Sequence, residues 1–266
     1  MPRPRAWARN PTGTWSSAPS NVSRETLKRS GPRDDSSRWR PSLNADDVET
    51  LERAYIDAVR LGFLGPREHE RLWERHIDDA LGLAAIRPPK PGERWADLGS
   101  GAGLPGLPLA VAYRSTSFTL IDAQQRRLDW VQATAQELRI TNVAVVHARL
   151  EDYGRGPGRE SFDVATARAL GPLPVVAELG LPLLRVGGRL LVPRGQPPAD
   201  ELHQATVACE QLGGRVELVV PNSSSPIDRV GFVVIMAKIA ATSPRFPRRS
   251  GVPARTPLGQ LRKHER

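Results

Sequence analysis

Apolar positions recur along this chain in two rhythms, and the switch between them divides it. From Asp46 onward, Val48, Leu51, Ala54, Tyr55 and Val59 return every three or four residues, which marks one face of a helix. Gly65-Pro66 breaks the pattern. A second helical stretch runs through Leu72, Trp73, His76, Ile77, Ala80 and Leu81 toward Ile86, and Pro88, Pro89 and Pro91 end it. After that, short apolar runs alternate with helical periods. Strands are expected at 94–98, 117–121, 144–147, 162–166, 189–192, 216–220 and 231–236, and helices at 106–113, 126–138, 172–184 and 200–212. Near-continuous apolar strands separated by helices predict a mainly parallel sheet covered on both faces. Only residues 221–229 join the last two strands, too few for a helical crossover, so those two should pair antiparallel.

The first of these strands runs into Ala96-Asp97-Leu98-Gly99-Ser100-Gly101-Ala102-Gly103-Leu104-Pro105-Gly106-Leu107-Pro108. Glycines let the backbone turn tightly and approach a ligand, while Pro105 and Pro108 suit a first helical turn, where a missing N–H costs little. Such a turn offers N–H groups and the positive end of a helix to an electron-rich ligand. Gly101 to Gly106 satisfies the G-x-G-x-x-G of dinucleotide folds, a weak signal alone. Asp97 directly before the glycines, and Asp122 after the next strand, favour the Asp-x-Gly-x-Gly-x-Gly loop of S-adenosylmethionine (SAM) methyltransferases, with a carboxylate available for the ribose hydroxyls. A parallel sheet closed by an antiparallel hairpin points the same way. An NAD-dependent oxidoreductase and a purely structural glycine turn are the alternatives.

With 266 residues, 39% of them hydrophobic, the chain suits one ordinary domain with small appendages. No apolar run approaches a membrane span, no secretory-type stretch opens the sequence, and the single cysteine, Cys209, permits no internal disulfide, so a cytoplasmic protein is expected. The formal net charge of +9 is uneven. Residues 1–45 carry nine Lys/Arg against three Asp/Glu, and residues 238–266 eight against one, which leaves the stretch between them net negative. Basic ends suggest a polyanionic partner, RNA or DNA, against the plainer reading of solubilising tails. Residues 1–44 are rich in Pro, Ser, Arg and Asn without any period, so disorder is expected there; a transit peptide fits less well, because Glu25, Asp34 and Asp35 interrupt the basic pattern.

Six stretches carry a more specific signal: Glu74-Arg75-His76-Ile77-Asp78-Asp79-Ala80-Leu81, Asp97 to Pro108, Arg149-Leu150-Glu151-Asp152, Phe162-Asp163 with Ala167-Arg168-Ala169, Arg194-Gly195-Gln196, and residues 244–258. Through them residues 46–258 resemble the bacterial 16S ribosomal RNA guanine-N7 methyltransferases, formerly called glucose-inhibited division protein B. The resemblance implies a class I SAM-dependent methyltransferase fold: α/β, Rossmann-like, a seven-stranded mostly parallel sheet with an antiparallel last strand. It divides the chain into a basic tail (1–44), a helical segment (45–90), the SAM-binding domain (91–241) and a Pro/Arg-rich tail (242–266). It implies SAM held by Asp97, Gly99, Gly101, Gly103, Leu104, Asp122, Leu150, Glu151 and Arg168, with the adenine end near Leu150 and Glu151. The implied partner is 16S rRNA or the small ribosomal subunit; a monomer is the default expectation, and the lack of a long apolar run argues against a membrane. Two departures stand out. Arg194 occupies the usual Lys of a Lys-Gly-Gln turn, and Leu61-Gly62-Phe63-Leu64-Gly65-Pro66 replaces the family's Asn-Leu-Thr signature.

The residues also limit the chemistry. Addition to a pyrimidine C5 normally needs a cysteine nucleophile, and Cys209 sits mid-helix as a packing residue. An exocyclic amine acceptor usually goes with an Asn/Asp-Pro-Pro-aromatic turn after the fourth strand, where this chain has Ala167-Arg168-Ala169-Leu170. Guanine N7 carries an unprotonated in-plane lone pair, so positioning does most of the work and no general base is required. His76 and His147 are weak candidates for bases; helix packing and a strand end account for them better. No metal ligands and no catalytic acid–base pair are expected, only Arg168 and Arg194 as positioning residues. An arginine as close to an apolar strand as Arg168 should hold an anion, either a ligand's or the carboxylate of Glu151 or Asp163. RNA contact is assigned to Arg126, Arg127, Arg194, Arg245, Arg248, Arg249 and Arg255, because guanidinium groups grip phosphate bidentately and basic irregular segments order on RNA. Phe246 is placed either to stack a base or to anchor the tail. A SAM-binding RNA chaperone without catalysis, suggested by Arg194, is the competing function.

Overall fold

The computed structural model describes residues 7–9, 15–17, 43–66, 68, 72–222 and 231–260. Strands β1 (Trp7–Arg9) and β2 (Trp15–Ser17) come first, in a stretch expected to be irregular. Helix α1 (Ala45–Arg60) follows, capped by Asn44, whose side chain accepts from the Asp47 N–H at 2.7 Å. The second helical stretch opens with a π-helical turn, Trp73–Ile77, before α2 (Asp78–Ile86). The alternating region then gives β3 (Arg94–Leu98), α3 (Gly106–Ala112), β4 (Ser117–Asp122), α4 (Gln125–Glu137), β5 (Val143–His147), α5 (Leu150–Arg155), β6 (Phe162–Ala167) and α6 (Leu173–Gly180). It ends with β7 (Leu184–Arg194), α7 (Ala199–Gln211), β8 (Gly214–Asn222), β9 (Gly231–Lys238) and a short α8 (Val252–Arg255).

Two differences from the sequence pattern have plain causes. The helix expected over 172–184 stops at Gly180, because Pro182 lies in a 3-10 turn, Leu181–Leu183, that feeds β7 directly. Helix α5 is six residues long, too short to show a period in sequence.

The sheet runs β2-β1-β8-β9-β7-β6-β3-β4-β5. Pairing is parallel from β7 through β6, β3 and β4 to β5. Strand β9 is antiparallel to both β7 and β8 and sits between them. The expected antiparallel pair is present, and within the seven strands β3–β9 only β9 opposes the common direction. Helix α7 carries the chain from β7 past one strand position to β8, and β9 returns to fill the gap. This is the class I methyltransferase arrangement, with a small helical unit at its N-terminal side.

Alternation along the strands separates two cores. Ala96, Leu98, Ala165 and Ala167 join Leu173, Val176, Leu202 and Cys209 on the α6–α7 face. Trp95 and Val164 join Leu51, Tyr55, Leu83 and Leu107 on the face of α1–α4. The chain order reverses between β3 and β6, so the carboxyl ends of those two strands border the crevice in which open sheets hold ligands.

Candidate active site

The glycine loop leaves β3 at that crevice. Gly99, Gly101 and Gly103 have φ of +65°, +55° and +70°, a left-handed conformation that costs glycine nothing and other residues dearly. A Cβ on Gly103 would lie 2.5 Å from Leu107 Cδ1, and one on Gly99 2.7 Å from Leu170 Cδ1. The loop therefore presses directly on α3 and on the segment after β6.

Two carboxylates shape it from within. Asp97 is 1% exposed; its Oδ2 accepts from the Gly106 N–H at 2.9 Å and its Oδ1 from the Thr166 hydroxyl at 3.0 Å. Burial drives its pKa up to about 7, although those two hydrogen bonds and the nearby Arg168 guanidinium pull the other way. Asp122, at the end of β4, accepts from Gly101 N–H and Gln124 N–H, each at 2.9 Å and each on a different oxygen. Asp97 is thus turned into the protein as the latch of the loop, while each Asp122 oxygen keeps acceptor capacity beyond its one bond. Within the loop the buried Ser100 Oγ has no hydrogen-bond partner among the described residues. A loop that approaches without side chains, a carboxylate suited to ribose hydroxyls and a buried hydroxyl left over together fit the adenosine portion of SAM.

Arg168 follows β6 at the opposite lip of the crevice. Its Nη2 lies 2.7 Å from His76 Nδ1, and His76 Nε2 lies 3.1 Å from Glu68 Oε2. Neither carboxylate expected to pair with it does so. Asp163 pairs with Arg185 and accepts from the Arg94 N–H, and Glu151 accepts from the Gly251 N–H at 2.8 Å. Tyr55, an apolar-face position in the helix pattern, is fully buried on α1, with its hydroxyl 3.5 Å from the Gly103 carbonyl. Burial beside Asp97 raises its pKa well above the usual value. Neither Tyr55 nor Glu68 stands out in the pattern, because a helix face looks the same whether it packs a core or a loop.

The family model described as rRNA small subunit methyltransferase G matches residues 56–228. This chain belongs to that family. A ribosomal RNA small subunit methyltransferase G of Chloroflexus aggregans is 38% identical over 226 residues, spanning 83% of this chain and 94% of that protein. One from Desulfitobacterium hafniense is 34% identical over 222 residues, spanning 81% and 91%. Among solved structures, a SAM-dependent methyltransferase from Aquifex aeolicus overlays with a TM-score of 0.48 at 17% identity, covering 66% of this chain and all of that one. As a member of the rRNA small subunit methyltransferase G family, the chain is a SAM-dependent methyltransferase.

Around this centre the expected contacts divide. Leu150 is buried at the start of α5, and Glu151 beside it holds the C-terminal segment. Arg194 is turned inward: both of its terminal nitrogens donate to Glu201 at 2.9 Å, and Glu201 also accepts from the Leu173 N–H. The fork explains how Arg stands here, since two parallel bonds need a guanidinium. Arg248 is likewise withdrawn from solvent-side work, donating from its backbone and its guanidinium to Glu178, which is fully buried. Arg127 is half-buried with Nη1 beside Gly101, whereas Arg126 is exposed over the Phe63 ring. Arg245, Arg249 and Arg255 are exposed. Arg245 stacks on Phe246, and Phe246 is 4% exposed within the core, so it anchors the segment instead of waiting for a base. His147, exposed, meets the Ala123 carbonyl at 3.1 Å, and Cys209 is sealed in α7 with its thiol pKa pushed up by burial.

Among the described residues, no helix is long and apolar enough to cross a membrane.

Proposed function

We propose that this enzyme transfers a methyl group from SAM to N7 of a guanine in 16S rRNA, working as a cytoplasmic monomer on the small ribosomal subunit. SAM supplies an electrophilic methyl group on a sulfonium leaving group. The glycine loop, with Ser100 and Asp122, would hold the adenosine portion, and Arg168 would grip an anionic group across the crevice. Arg126, Arg249 and Arg255 would face phosphate, since these residues are exposed. Arg194 and Arg248 would shape the site through Glu201 and Glu178 and touch no RNA.

The observation that carries the acceptor is the state of Cys209. It is 0% exposed on the α6–α7 face, so a covalent route through pyrimidine C5 has no nucleophile in this chain. A guanine N7 lone pair needs only to be aimed at the methyl carbon, and a rigid crevice with an arginine at its lip can do that. The test is tritium transfer from labelled SAM to small subunits from a deletion strain, followed by base identification. Label in 7-methylguanine is the expected result; label in another base would discard the acceptor, and SAM binding without any transfer would favour a non-catalytic RNA-binding role.

A further inference from the structure

The π-helical turn Trp73–Ile77 carries His76 to the crevice, and π turns are rare features that gather at functional sites. His76 is 5% exposed and stands between two charged partners on different segments, Glu68 before the turn and Arg168 after β6. The geometry fixes its proton. A guanidinium can only donate, so Nδ1 must accept from Arg168 Nη2 with its lone pair. The ring proton then belongs to Nε2, where it faces Glu68 Oε2. The result is a directed chain, Glu68 carboxylate to His76 imidazole to Arg168 guanidinium, with the imidazole neutral.

This arrangement does something that a direct carboxylate pair would not. Glu68 bonded straight to Arg168 would draw the guanidinium to itself; the imidazole between them fixes Nη2 in place, while Nη1 is a buried donor with no hydrogen-bond partner among the described residues. Arg168 follows a strand end and precedes Ala169, whose φ of +54° marks a tight turn, so the side chain needs support from outside its own segment. We infer that His76 is a positioning residue that aims Arg168 at an anionic oxygen in the crevice, and that Glu68 sets its tautomer. The helical unit 45–90 is thereby a working part of the active site. The inference rests on the placing of Arg168 in the proposed methyl-transfer site. The anion is either the carboxylate of SAM or a phosphate of the RNA.

A mutant cycle tests it on the full-length enzyme: His76→Leu, Arg168→Ala and the double variant, with His76→Asn keeping an acceptor oxygen for Arg168. Two readouts are taken, SAM affinity by calorimetry and kcat and KM for small subunits. His76→Leu should lower the affected quantity about ten- to a hundredfold, the size of one hydrogen bond to a charged group. The double variant should be no worse than Arg168→Ala, since a residue acting through another has nothing left to do once that one is gone. His76→Asn should recover most of the loss. A changed SAM affinity assigns the anion to SAM; an unchanged one with a raised KM for subunits assigns it to RNA. Effects that multiply in the double variant, or a His76→Leu enzyme within twofold of wild type, would overturn the inference. If the wild type itself transfers no methyl group, the proposed function fails, and the cycle is then read from SAM and subunit binding alone.

Discussion

The glycine loop and the C-terminal segment are both irregular chain held against the same sheet, but the segment is held by cations as well as by carboxylates. The loop is fixed by carboxylates that accept from backbone N–H groups: Asp97 from Gly106 and Asp122 from Gly101. The C-terminal segment also has carboxylates accepting from its backbone N–H groups, Glu160 from Thr242, Glu178 from Arg248 and Glu151 from Gly251, and adds cations that donate to its backbone carbonyls. Arg155 reaches the Pro247 carbonyl, Arg159 those of Thr242 and Phe246, and Lys238 bonds Thr242 and the Leu181 carbonyl. A ligand-binding loop needs backbone close to the ligand and side chains out of the way, so glycine and inward acids serve it. A strap that crosses from the amino ends of the strands near Thr242 to the rim at Gly251 has no sheet partner, so its carbonyls need donors from the body. Of the segment's own arginines, Arg248 is structural, paired with Glu178.

Cutting the strap should produce the largest effect. Glu178 is 0% exposed and accepts from Arg248 through both backbone and guanidinium. Glu178→Ala strands that guanidinium, whose side chain is 26% exposed, and should cost about 3 kcal/mol, the lower end for breaking a buried pair. Urea denaturation reads this directly. A loss below 1 kcal/mol, about the worth of a surface pair, would mean that the strap is held elsewhere and that Arg248 is free for RNA after all.

Disturbing the loop should cost less stability but more function. Gly103→Ala adds a Cβ 2.5 Å from Leu107 Cδ1 at a φ of +70°, so strain of about 2 kcal/mol is expected. SAM affinity should fall at least about tenfold, because a shift of Leu107 moves the start of α3 together with Gly106 and its latch on Asp97. Unchanged affinity would show that the ligand does not depend on the shape of this loop.

The two regions were not equally legible. The loop and the sheet could be read from sequence because their cause is local: glycine spacing, strand-end acids and apolar runs each reflect one segment's own conformation. The strap shows in sequence only as a Pro/Arg-rich tail because its cause is remote. Nothing near Arg248 in sequence announces Glu178, seventy positions away, and an arginine bound for a buried carboxylate is written with the same letter as one bound for phosphate. Arg194 is hidden in the same way, by Glu201. Phe246 was open between two roles for the same reason, and burial decides it. Residues 223–230 and most of 1–42, where a short connection and an irregular basic tail are expected, lie outside the described residues.

The smallest expected effect separates the two regions by pH. Asp97 has its pKa raised by burial from 3.8 to about 7, so the folded state binds a proton that the unfolded chain has already released. Stability from this group is full below about pH 4 and is lost as pH rises through 7. Between pH 6 and 8 the wild type should lose about 1 kcal/mol relative to Asp97→Asn, which does not titrate. Lys238 runs the other way. Burial lowers its pKa from 10.5 to about 8, so between those values the unfolded chain holds the extra proton and stability rises with pH. Wild type measured against Lys238→Met should therefore gain from pH 8 to 10, whereas wild type measured against Asp97→Asn falls from pH 6 to 8. Denaturation of the three proteins across that range decides it. Two differences of the same sign would mean that at least one of these buried groups keeps an ordinary pKa.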